Sequence, residues 1–112
     1  MRKVWIEAAL NGSWGRALHP GIPYALAAYH ALLEEEAPGA PWTIAGVSAD
    51  LHPLVAETIA RGGHIRVGLE DAPLGTTASN LEMVEEAVRL VREHGAEPAT
   101  LAEMRQALAA SA

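Results

Sequence analysis

Three short runs of strand-forming residues alternate with longer runs of helical periodicity, and this alternation constrains the fold more than any other feature. Residues 3–10 (KVWIEAAL) begin β-branched and aromatic and stop at Asn11-Gly12, after which a Gly/Pro-rich stretch runs to Pro23. Residues 24–36 predict a helix, with Leu26, Tyr29, Leu32 and Leu33 near one face and Glu34-Glu35-Glu36 at a solvated end. The run from Ala37 to Pro41 stops it. Residues 42–47 (WTIAGV) give a second strand. Asp50 is placed to cap a helix over 51–60, with Pro53 tolerated in its first turn and Gly62-Gly63 at its end. Residues 64–69 (HIRVGL) give the third strand. Ser79 and Glu82 form a capping box, and Leu81, Val84, Val88 and Val91 then recur at helical spacing up to Gly95. Thr100 with Glu103 repeats the box before a last short helix. Strand, helix, strand, helix in this order is the signature of a parallel α/β sheet with right-handed crossovers.

A parallel sheet must be covered on both faces. Three strands and four helices in 112 residues barely suffice, so the expectation is a sector of something larger. The formal charge of −6, with no Lys/Arg cluster, argues against a nucleic-acid or anionic-membrane partner. Cysteine is absent, which excludes disulfides and thiolate metal sites. The charged-then-apolar start is interrupted by Glu7 and is too short for a signal peptide. Nothing approaches the roughly 20 apolar residues of a membrane span, and a cytoplasmic location is expected. There is no Phe, so the core must rest on Leu, Ile, Val and Ala.

The third strand carries the chemistry. Side chains alternate across a strand, so Ile65, Val67 and Leu69 share one face and His64, Arg66, Gly68 and Glu70 the other, with Asp71 just beyond. Charged groups facing inward need a partner, a metal or a ligand. Ligands in parallel α/β folds bind at the carboxyl ends of the strands. On base rates alone, R-x-G-x-E-D reads first as the polar side of a half-exposed strand. The loop 72–78 leads into a helix N-terminus, which either holds an anion or is simply capped.

The run from Gly62 to Asp71 (GGHIRVGLED) resembles the late-strand signature of the β-keto acid cleavage enzymes, the 3-keto-5-aminohexanoate cleavage group. The helix from Asn80 to Gly95 and the segment Glu97-Pro98-Ala99-Thr100 are similar to that family's carboxyl end. Residues 6–12 with Pro20-Gly21-Ile22-Pro23 resemble its first strand and loop, and 24–48 its penultimate helix and strand. The resemblance implies a partial (β/α)8 TIM barrel in which the three parallel strands are the first, seventh and eighth. These are contiguous where a closed barrel joins its last strand to its first. A barrel of about 250 residues would then lack its middle, with 1–23 the first strand and loop and 24–112 the last βα units.

The resemblance also implies zinc-dependent retro-Claisen acyl exchange between a small-molecule β-keto acid and acetyl-CoA. Glu70 matches the carboxylate metal ligand, Arg66 and Asp71 the pair that orients and deprotonates substrate, and Asn11 a substrate-side polar liner. The family's other metal ligands come from an H-x-H pair, and no such pair occurs among His19, His30, His52, His64 and His94. His30, His52 and His94 read as surface histidines and His64 as structural, with only His19 in a loop free to approach a site. The chain is therefore expected to be inactive alone. The other readings are a non-catalytic module that self-associates through open sheet edges, and a small anion-binding α/β domain.

Overall fold

The computed structural model describes residues 2–9, 23–46 and 52–110. Its elements are β1 (Lys3–Val4), β2 (Ile6–Ala9), α1 (Pro23–Glu36), β3 (Thr43–Ile44), a 3₁₀ turn (His52–Leu54) running into α2 (Val55–Ala60), β4 (His64–Gly68), α3 (Asn80–Glu93), β5 (Glu97–Pro98) and α4 (Leu101–Ala110). The chain is thus mixed α/β, with parallel strands throughout. One sheet has the order β2-β4-β3, with Ile6 beside Ile65 and Ala9 beside Gly68 on one flank and Thr43 beside His64 on the other. A second, two-stranded ladder joins β1 to β5. The third strand of the sequence is therefore the middle strand of the sheet, flanked by the first and the second. No helix among the described residues is long and apolar enough to cross a membrane.

The expected strand over 3–10 is divided because it changes partner. The Arg2 and Val4 carbonyls accept from the Glu97 and Ala99 amides, and one residue later the Trp5 carbonyl accepts from Ile65. Pro98 is tolerated in this ladder because its neighbours supply the donors. The pairing of Glu97-Pro98 is not visible in a segment too short to show periodicity. Residues 51–60 also differ from expectation: the α-helix proper starts at Val55, and its N-cap Leu54 makes no side-chain cap. Asp50, expected to cap it, lies outside the described residues. Ser79 does what its spacing predicts, accepting from the Glu82 amide while Glu82 accepts from the Ser79 amide. That N-terminus carries its own carboxylate, the capped alternative for the loop at 72–78.

The core lies on one side of the main sheet. Ile65 packs with Val55 and Ile59 of α2, Ala87 and Val91 of α3, and Val4 and Ala96, while Val67 and Leu90 close against the same cluster. On α3 the buried stripe centres on Ala87 and Val91, whereas Leu81, expected on that face, is largely exposed. The helix α1 is only half covered: Leu26 is buried, but Tyr29 and Leu32 are exposed. α4 buries no residue at all.

Candidate active site

β4 is placed by its apolar face, and that placement aims Arg66. Because Ile65 and Val67 face the helices, Arg66 must leave the sheet on the opposite side. The strand then ends at Gly68, whose φ of 149° is a conformation essentially restricted to glycine. The chain turns there, with the Asp71 and Ala72 amides both donating to the Gly68 carbonyl at 3.1 Å. This turn, rather than continued strand alternation, brings Glu70 and Asp71 back over Arg66. Leu69 is correspondingly half exposed instead of joining Ile65 and Val67.

The result is one guanidinium held between two carboxylates. Arg66 donates to Glu70 Oε2 at 2.7 Å, and its Nε lies 2.9 Å from Asp71 Oδ2. The second contact is an ion pair without hydrogen-bond alignment. Asp71 is the more buried carboxylate. Asn80 fixes the far end of the turn by accepting from the Leu69 amide at 2.8 Å. Sequence spacing did not mark Asn80 as part of this arrangement, because its role depends on a turn and not on a periodic pattern. On the helix side of β4, a cleft of about 490 Å³ lined by Val67, Met83 and Leu90 reaches Asp71 and Thr76 at the strand's carboxyl end.

Arg66, Glu70 and Asp71 are thus brought together at the carboxyl end of the central strand. Asn11 and His19 lie outside the described residues. His64 sits at the opposite end of the same strand, buried against Trp5. His52 is exposed, 3.5 Å from Glu86, and the exposed His94 ring lies 2.8 Å from the Leu90 carbonyl. His30 departs from the surface reading: it is partly buried between Arg61 (3.2 Å) and Glu34 (3.5 Å), with its ring against Trp42.

Among the described residues no group of three His, Cys, Asp or Glu side chains is disposed to hold a metal ion. A catalytic zinc needs about three protein ligands and an open position. The nearest approach to a donor set is Glu70 with Asp71, and both already face the Arg66 charge. The described donors do not fit a zinc site.

The beta-keto acid cleavage enzyme family (BKACE) matches residues 20–109, most of the chain. The chain belongs to that family. It is 47% identical over 74 residues to the 3-keto-5-aminohexanoate cleavage enzyme of Fusobacterium nucleatum, covering 62% of this chain and 27% of that relative. The enzyme of the same name from Acetoanaerobium sticklandii is 40% identical over the same shares. The 3-oxoadipate:acetyl-CoA acetyltransferase of Cupriavidus necator is 38% identical over 110 residues, 92% of this chain and 39% of that relative. The chain therefore spans about a quarter to two fifths of the length of these relatives.

Proposed function

We propose that this chain is a sector of a (β/α)8 barrel from a β-keto acid cleavage enzyme, carrying part of the site for acyl exchange between a β-keto acid and acetyl-CoA. The observation that supports it is the clasp of Arg66 on Glu70 and Asp71 at the carboxyl end of β4, where parallel α/β folds bind ligands. The strand order adds support, since a first strand lying beside the last is the neighbourhood a closed barrel creates. In this reading Asp71 is the general base that removes the substrate's proton, and Arg66 holds its carboxylate in position. Glu70 would give one oxygen to a zinc ion whose remaining ligands this chain's described residues do not supply. The chain is inactive alone.

The test is complementation. Acetoacetate formation from a β-keto acid and acetyl-CoA should be absent with this chain alone. It should appear when a relative's complementary segment supplies the H-x-H strand, and vanish on Asp71→Asn. Turnover that survives Asp71→Asn would remove Asp71 from its role. A second reading, a self-associating module, draws on the half-covered α1, the unburied α4 and the edge positions of β2 and β3.

A further inference from the structure

At its amino end β4 is tied to the N-terminal segment through a histidine. The Trp5 amide donates to His64 Nδ1 at 3.0 Å, and the two rings stack with centroids 4.1 Å apart and planes 7° from parallel. On either side of this contact the backbone is paired: the Ile65 amide donates to the Trp5 carbonyl, and β2 runs beside β4 from Ile6 onward. Arg2 adds a clamp, donating to the Gly63 carbonyl at 2.9 Å. His64 itself is only 6% exposed.

This geometry admits one protonation state. Nδ1 accepts the Trp5 hydrogen bond only while it carries no proton, so the docked ring is the neutral tautomer protonated at Nε2. A second proton would set two N–H groups against each other, and it would place a cation in a buried site beside Arg2. We infer that the contact of Trp5 with His64 is an acid-labile latch, and that protonation of His64 releases the N-terminal segment, residues 2–9, from β4.

The surrounding charges do not offset this. Arg2, Lys3, Glu34, Arg61 and Glu103 line one cavity with His64. Lys3 is paired with Glu103 (3.4 Å), and Arg61 with Glu57 (2.7 Å). Glu103 is held below the usual carboxylate range, first by the Thr100 amide, and stays ionised down to mildly acid pH. Burial, and then the Arg2 charge, push His64 down to about 4. A lowered histidine contributes fully above its free value near 6.5. Its contribution declines as pH falls below that and is gone below about 4. Across that window the docking equilibrium should weaken close to tenfold per pH unit, roughly 300-fold in all.

Amide hydrogen exchange between pH 7.5 and 4, corrected for intrinsic rates, tests the latch on the whole chain. The Ile65 amide, which reports docking directly, should lose protection progressively below pH 6.5, while Val91 in α3 keeps its own. His64→Asn supplies a side-chain acceptor that does not titrate and should flatten the profile. Arg2→Gln removes the neighbouring cation, raises the docked His64 value toward its free one, and should make the acid-induced loss of Ile65 protection smaller relative to its own level at pH 7.5, which decides the matter if the Asn variant fails to fold. Ile65 protection that is flat to pH 4.5, loss shared equally with Val91, or an acid-induced loss left undiminished by Arg2→Gln would overturn the inference.

Discussion

Replacing Gly63 by Ala should destabilise the protein through one side chain, Trp42. Gly63 has no positive φ to defend; what it lacks is space. A Cβ there would stand 2.4, 2.5 and 2.7 Å from Cη2, Cζ3 and Cζ2 of the Trp42 ring, where ordinary contact begins at 3.4 Å. The ring would have to retreat by about 1 Å, as overpacked cores require of their neighbours. That retreat would disturb contacts it already makes. The Trp42 carbonyl accepts from the His64 amide at 2.9 Å, and its ring packs against His30. Overpacking of this kind costs about 1–3 kcal/mol, which corresponds to roughly 5 °C or more in Tm for a domain of this size. Urea denaturation of Gly63→Ala, Trp42→Leu and the double variant separates the clash from each residue's own contribution. The double variant should be more stable than the sum of the singles predicts, by about 1 kcal/mol or more, because the obstructing ring atoms are gone. Additivity within about 0.5 kcal/mol would refute the proposed contact.

Three further outcomes follow from the same packing and pairing. Ser79→Ala removes the hydroxyl that accepts from Glu82 and should lower stability by about 1 kcal/mol, read from urea midpoints at constant slope. Arg66→Ala strands two largely buried carboxylates beside each other and should cost about 1–3 kcal/mol at pH 7, with part of the loss recovered by Glu70→Gln in the same chain. With Leu32, Leu101 and Leu108 about half or more exposed and, among the described residues, β2 and β3 at the two edges of the main sheet, the chain should associate as its concentration rises. Light scattering coupled to size exclusion would show this, and a single monomer mass across a hundredfold dilution would contradict it.

How much was legible in the sequence depended on whether a feature is periodic. A strand within each of the three runs (only Thr43–Ile44 of 42–47), the α3 capping box and the inward placement of Ile65 and the partly buried Val67 all follow from spacings of two or of three to four residues. The convergence of Arg66, Glu70 and Asp71 was legible only in outline. Alternation alone would have carried Glu70 along an extended strand, whereas the turn at Gly68 folds it back. Gly62-Gly63 reads in sequence as a helix stop. In space the two glycines divide the work: Gly62 takes the positive φ of 83° after α2, and Gly63 makes room for Trp42. The β1–β5 ladder left no trace, because two-residue strands have no period to detect. Nor did the latch at His64, which depends on a backbone amide 59 residues away.

Metal content tests the central claim most directly, that Arg66 and not a metal ion holds the Glu70 and Asp71 carboxylates in this chain. The protein would be equilibrated with excess zinc, dialysed at neutral pH and analysed for bound metal beside its Glu70→Gln variant. The predicted result is far less than one equivalent, the same in both proteins. One tightly held zinc per chain, lost on Glu70→Gln, would contradict it and show that the chain completes the ligand set with residues beyond those described.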